Sequence, residues 1–230
     1  MDTLRIRDLE FSYQQDSPLL KISYLVLKKG EKVFLKGNSG SGKSTLLSIV
    51  TGILSPQKGE VNVLDNNLGL LTQSQKDSLR GESMGYIFQL FNLIPYLSVL
   101  DNITLPCRIH SGRFKKLGSL GLFEEAQRLA QALSIEYLLN KPTNELSVGQ
   151  QQRVAAARAL IGSPKFIIAD EPTSSLDYNQ RENFIKLLMS ECEKKETTLL
   201  FVSHDPTLAP FFDRSIEMSS LNSLSHEALT

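Results

Sequence analysis

Apolar and polar residues alternate along Leu4-Arg5-Ile6-Arg7 and again along Ile22-Ser23-Tyr24-Leu25-Val26, with the turn-like run Gln14-Gln15-Asp16-Ser17-Pro18 between them. Period two belongs to strands with one face in a core and the other in water, so both are expected in an antiparallel sheet. Lys32-Val33-Phe34-Leu35 is a short apolar run that stops at Gly37, as a central strand does. From Lys43 the period becomes helical: Leu46, Leu47, Val50 and Ile53 share a stripe, and Gly52 and Pro56 close it. Glu60–Leu64 and Met84–Phe88 are further strand candidates.

The middle of the chain changes character. Val99 to Asn140 is helical in pattern, most strongly over Leu122–Leu133 with its Ala, Leu, Gln and Glu content. Within it, Arg113-Phe114-Lys115-Lys116-Leu117-Gly118-Ser119 is expected as a basic, solvated loop. Strands resume at Phe166-Ile167-Ile168-Ala169 and Leu199-Leu200-Phe201-Val202. This order predicts an α/β fold with a parallel core sheet, an N-terminal antiparallel β subdomain and an inserted α-helical subdomain.

A length of 230 residues suffices for one such domain. Lys plus Arg and Asp plus Glu both number 25, so no net field draws in polyanions and nucleic acid is not an expected partner. No apolar stretch is long enough to span a bilayer. The opening Met1-Asp2-Thr3-Leu4-Arg5 carries acid where a secretory signal has base and an apolar run. Cys107 and Cys192 lie far apart without CxxC spacing, which fits buried reduced thiols and a cytoplasmic location.

Chemistry concentrates at three places. Gly37-Asn38-Ser39-Gly40-Ser41-Gly42-Lys43-Ser44 fits G-x-x-x-x-G-K-[ST], between a predicted strand and a predicted helix. Glycines let successive N–H groups converge on phosphate oxygens, the helix N-terminus adds partial positive charge, and Lys43 brings an ammonium to the β/γ-phosphates. The Ser44 hydroxyl is placed to ligate Mg²⁺. Phe166-Ile167-Ile168-Ala169-Asp170-Glu171 delivers two carboxylates at a strand's C-terminal end, Asp170 for the metal and Glu171 for the proton of an attacking water. Leu146-Ser147-Val148-Gly149-Gln150 has the S-x-x-Q spacing of a capping box, so a helix starts there and its N-terminus is a second anion site or simply a capped end.

Taken in order, these segments resemble the nucleotide-binding subunit of an ATP-binding-cassette (ABC) transporter. The resemblance includes Gln89 after a strand, Ser174-Ser175-Leu176-Asp177 after the acidic strand, and His204 after the last strand, and it spans essentially the whole chain. It implies a single P-loop ATPase domain over 1–230. Residues 1–89 carry the β subdomain and the first part of the core, 90–162 the mainly helical subdomain, and 163–230 the rest. It also implies that two copies sandwich two ATP molecules with Mg²⁺. Each copy's Leu146, Ser147, Val148, Gly149 and Gln150 then face the other copy's phosphate loop, where Gly37 to Ser44 and Thr45 bind the ATP. By the same resemblance Tyr13 stacks on adenine, Gln89 touches the Mg²⁺ or the attacking water, and Ser175, Leu176 and Asp177 communicate across the dimer. His204 holds the γ-phosphate and the water with Glu171, whereas His110 and His226 have no such role.

Met84–Pro95 and Val99–Pro106 are similar to the branch of macrolide exporters and lipoprotein-release ATPases. That implies an integral-membrane permease on a separate chain and a peripheral place on the inner face of the membrane. A cell-division-type regulator with the same cassette is the alternative. Val148 stands where the family has glycine, which a first helical position accommodates and a positive φ does not. Leu90-Phe91-Asn92-Leu93-Ile94-Pro95-Tyr96-Leu97 is unusually apolar for a loop, either as core filling or as a groove for the permease. Ile216–Asn222 lacks the Asp-Gly hairpin common at this place, so its strand pairing is left open.

Overall fold

The computed structural model describes residues 1–14 and 17–224, so His226 lies outside them. The elements begin with β1 (Asp2–Gln14), β2 (Ser17–Lys28), β3 (Lys32–Lys36), α1 (Lys43–Val50), β4 (Lys58–Val63) and β5 (Asn66–Asn67). They continue with α2 (Gln73–Ser83), β6 (Met84–Ile87), α3 (Val99–Ile109), α4 (Ser111–Lys115), α5 (Leu122–Ala132) and α6 (Val148–Leu160). The last are β7 (Phe166–Asp170), α7 (Tyr178–Lys194), β8 (Thr198–Ser203), β9 (Arg214–Glu217) and α8 (Met218–Leu221).

The expected antiparallel pair is present and longer than its most alternating stretches. β1 and β2 run side by side with Ile6 opposite Leu25 and Gln14 opposite Ser17; the turn expected between them includes residues 15 and 16, outside the described ones. β4 and β5 complete a sheet of order β2-β1-β4-β5, and the second sheet is parallel, in the order β6-β7-β8-β3-β9. Period-two alternation sorts the parallel strands' side chains into two cores. Val33, Leu35, Ile168, Leu200 and Val202 pack with α1 and the antiparallel sheet. Phe34, Ile167, Ala169, Leu199 and Phe201 face the other way, onto apolar residues of α3, α5, α6 and α7. Lys36 is level with Ser203 and Asp170 with Val202, so the loops after β3, β7 and β8 leave the sheet at one edge, where open α/β sheets bind ligands.

Three sequence expectations are corrected or completed. The basic loop at 113–119 begins inside α4, and Arg113 is buried, its guanidinium donating to backbone carbonyls of three neighbouring segments. A cation paired only with carbonyls leaves no apolar trace, so the pattern shows a polar surface. The segment at 216–222 divides into β9, parallel to β3, and α8. Asn222 ties it to β2, accepting from Lys21 N at 2.8 Å and donating to Leu19 O at 2.9 Å. The apolar loop after Gln89 serves two purposes: Phe91 is buried, whereas Leu90 and Tyr96 are 83% and 81% exposed. Phe91→Ala should therefore lower stability by about 3 kcal/mol, through lost burial and a residual cavity. Tyr96→Ala should stay within about 0.5 kcal/mol; urea midpoints of the two variants check this.

Candidate functional site

The loop from Gly37 to Ser44 forms because β3 ends at the sheet edge and α1 starts at Lys43. Gly42 caps the helix at φ 93°, a left-handed conformation that a Cβ would strain, and that Cβ would meet Leu20 Cδ2 at 2.6 Å. Beside the loop lies a cleft of about 470 Å³. The loop contributes Asn38, Ser39, Gly40, Lys43 and Ser44 to it, and Gln89, Asp170, Glu171 and His204 arrive from the ends of β6, β7 and β8. Lys43 is nearly buried and its ammonium donates to Gly37 O at 2.6 Å and Asn38 O at 2.9 Å. Those carbonyls hold the cation at the mouth of the cradle. Ser41 Oγ is buried without a partner among the described residues.

Glu171 has φ 46°, left-handed for a residue with a Cβ, at a cost of about 1–2 kcal/mol. Its N–H still donates to Val202 O at 2.9 Å, so the chain turns off the sheet only after that bond. The carboxylate meets His204, with Nδ1 to Oε2 at 2.9 Å. Against an ionised carboxylate Nδ1 carries the proton; with both ring nitrogens protonated, Nε2–H can donate to a phosphoryl oxygen. Burial first, then the adjacent Glu171 charge, raises the pKa of Asp170 above its ordinary value, opposed by Lys43. A folded pKa raised in this way means that ionised Asp170 opposes folding at neutral pH. Asp170→Asn should then raise the melting temperature at pH 7 while abolishing hydrolysis. The gain should fade as pH falls through the raised pKa to the ordinary carboxylate range, which melting curves from pH 7 to pH 3 test.

The remaining sequence candidates lie outside the lining of the cleft. Ser147 caps α6 in the expected box: its N–H donates to Gln150 Oε1 at 2.9 Å and its hydroxyl accepts from Gln150 N at 3.4 Å. Val148 is the first residue of α6, exposed and without a positive φ, so its branched side chain is accommodated there. None of Leu146–Gln150 lines the cleft. Tyr13 is 66% exposed, and its hydroxyl lies 3.3 Å from that of the buried Thr45. Asp177 caps α7 through Gln180 N at 2.9 Å. His110 joins α3 to α4, its ring against Gly81.

Several residues that hold the site in shape escape a motif reading. Arg181 donates to Leu176 O at 2.7 Å and pairs with Asp205 at 2.8 Å, fastening the loop after β7 to the residue after His204. Arg158 donates to Phe91 O and Asn92 O at 2.5 and 2.6 Å. Fully buried Asn102 accepts from Ile94 N at 2.8 Å and donates to the Ile94 and Ser98 carbonyls, both at 3.0 Å. Together they fix the loop that follows Gln89. An asparagine beside Ile103, on the buried stripe of α3, is the one signal of this in the sequence.

A phosphate-cradling loop before a helix, with two carboxylates at the end of a strand one place removed in the same sheet, defines a P-loop nucleotide hydrolase. The pattern of the ABC transporter family matches residues 20–174, and the chain belongs to that family. It is similar to the "Lipoprotein-releasing system ATP-binding protein LolD" of Hydrogenovibrio crunogenus, 33% identical over 94% of this chain and 93% of that protein. It is also similar to the "Macrolide export ATP-binding/permease protein MacB" of Syntrophobacter fumaroxidans, 35% identical over 91% of this chain but 29% of that protein. Among solved structures it resembles the dimeric post-hydrolysis state of the cassette MJ0796 bound to ADP and Pi. There the TM-score is 0.81 and the identity 35%, over 93% of each chain. The chain is therefore an ABC transporter ATP-binding protein that binds and hydrolyses ATP.

Proposed function

We propose that two copies of this chain close head to tail around two ATP molecules, and that closure drives an integral-membrane permease on a separate chain. One observation carries the reading: the site is divided. Lys43, Ser44, Asp170, Glu171 and His204 share one cleft, while exposed Ser147 and Val148 open to solvent outside its lining. A helix N-terminus whose capping hydroxyl keeps its own hydrogen to donate suits a phosphate, and a two-fold arrangement brings each copy's Leu146–Gln150 to the other's nucleotide. The dimeric MJ0796 cassette supports this. Ser175, Leu176 and Asp177 adjoin the same helix end, and a Cβ on Gly149 would lie 3.6 Å from Leu176 Cδ2. That is a short route between the two half-sites.

The residues of the cleft also fit Mg²⁺. Ser44, Gln89 and Asp170 offer hard oxygen ligands, and among the described residues no three His, Cys, Asp or Glu form an all-protein cage. Such a set suits a Mg²⁺ completed by substrate phosphates and water. When bound, the ion would supply charge neutralisation on the phosphates. Around it Lys43 and the loop N–H groups hold the phosphates, with Tyr13 against the adenine. Glu171 takes the proton of the attacking water, and His204 orients Glu171 through Nδ1. Residues 1–230 act as one cassette, with the helical part, 90–162, presenting Leu146–Gln150.

No helix among the described residues is long and apolar enough to cross a membrane, so in this reading the span belongs to the permease, with the chain on its cytoplasmic face. Exposed Leu90 and Tyr96 give the permease an apolar landing place next to Gln89. Purified from membranes of its own host under mild detergent, the tagged chain should bring down a polytopic membrane protein. Tyr96→Ala should release that partner with basal hydrolysis unchanged. Isolation without any membrane protein would remove the permease from the reading.

A further inference from the structure

Arg113 is 3% exposed, and arginines buried this deeply rarely lack a carboxylate; here the partners are carbonyls alone. Nε donates to Ile161 O at 2.8 Å and Nη2 to Ala159 O at 2.6 Å, both at the C-terminal end of α6. Nη1 donates to Met84 O at 2.5 Å, where α2 gives way to β6, and reaches Gly81 O at 3.4 Å. The stem crosses Gly162, whose left-handed φ of 70° and missing Cβ leave the room it needs: a Cβ there would lie 2.6 Å from Arg113 Cγ. Desolvation lowers the guanidinium pKa to about 10, which still leaves it charged at neutral pH. One side chain thus joins the strand that delivers Gln89 to the helix that begins at Ser147.

The helix needs such an anchor. Its buried face is mostly alanine, with Ala155, Ala156, Ala157 and Ala159 all buried. Small side chains give few interlocking knobs, so beside the buried Val154 and Leu160 the polar ties add to what sets its placement. Three of these come from α6 itself: Gln152 to Pro172 O at 2.8 Å, Arg153 to Leu133 O at 3.0 Å, and Arg158 to the loop after Gln89. Arg113 reaches in from α4 to the helix's C-terminal carbonyls. With 13 residues, α6 is a lever of about 20 Å, and a tilt of ~10° about its C-terminal end moves Ser147 by roughly 3 Å.

We infer that Arg113 is a positioning residue for the shared ATP site, setting where Leu146–Gln150 stand relative to Gln89. The inference rests on the two-copy reading above. Losing the anchor should leave the cleft of a single copy intact and impair its completion by the second copy, since misplacement of ~1 Å already weakens such a site severely.

The test uses the full chain carrying Glu171→Gln, with light scattering to follow ATP-dependent dimers and a fluorescent ATP analogue to follow binding by the monomer. If this parent does not dimerise, the two-copy reading fails by itself, whatever Arg113 does. If it does, Arg113→Lys and Arg113→Met are compared with it well below their melting temperatures. Lysine keeps the charge but cannot span all the carbonyls. Monomer affinity should stay within about twofold, while the ATP concentration for half-maximal dimer rises at least ~10-fold. In the chain with Glu171 intact, turnover per folded molecule should fall in parallel. A lower melting temperature with an unchanged dimer midpoint and turnover would overturn the inference, as would monomer affinity falling as far as the midpoint. Should Arg113→Met not fold, Arg113→Lys decides alone.

Discussion

Glu171→Gln should bind ATP nearly as well as the parent chain while its turnover falls by about two to four decades. The amide keeps the size and most of the hydrogen bonding of the carboxylate but cannot take a proton from water. Its environment argues for a small structural effect: Glu171 is held by its own backbone bond to Val202 O and by His204 Nδ1 at 2.9 Å. An amide oxygen still accepts from that ring. Binding measured by nucleotide titration, set against phosphate release in single turnover, separates the two effects. A variant hydrolysing at near-parental rate would take Glu171 out of the proton-transfer step. An accumulated ATP-bound dimer, by contrast, would agree with the divided site described above.

Lys43→Ala should act one step earlier, on binding itself. Lys43 is the only lysine or arginine in the cleft lining among the described residues, and its ammonium already rests on the Gly37 and Asn38 carbonyls. Hydrogen bonds between charged groups contribute ~1.5–3 kcal/mol each, so the ATP dissociation constant should rise by about 10- to 100-fold. Hydrolysis should fall further, because Lys43 also faces the charge that builds on the leaving β-phosphate oxygens as the bond to the γ-phosphoryl group breaks. Equilibrium titration at several Mg²⁺ concentrations measures the first effect. An unchanged dissociation constant would show that the loop does not carry the phosphates.

Much of the site was legible because its chemistry is local. The loop at 37–44 needs glycine at fixed places, and Gly42 does sit at positive φ. The Ser147–Gln150 box is a three-residue spacing with one geometric meaning, and it forms as expected. What escaped depends on distant partners. Arg113 and Arg158 bond to carbonyls, which every residue has, so neither spacing nor composition marks them. α2 is polar nearly all round, with only Lys76 buried, and shows no apolar stripe to read. α7 does show one, at Phe184, Ile185, Leu188, Met189 and Cys192. β9 pairs with a strand about 180 residues earlier, and a local turn signal could not have indicated that.

The order β6-β7-β8-β3-β9 also bears on how the molecule comes off the ribosome. β3 carries the phosphate loop, yet both its neighbours, β8 and β9, are made long after it, at residues 198–203 and 214–217 against 32–36. Until those residues emerge, Val33, Phe34 and Leu35 belong to a strand with two bare edges. The antiparallel sheet closes early from contiguous sequence, but the parallel sheet has to wait. Such late, long-range closure slows folding and leaves apolar edges open to wrong pairing. A nascent chain stalled before residue 198 should therefore bind general chaperones and remain protease-sensitive around β3, and release of the last strands should protect both at once.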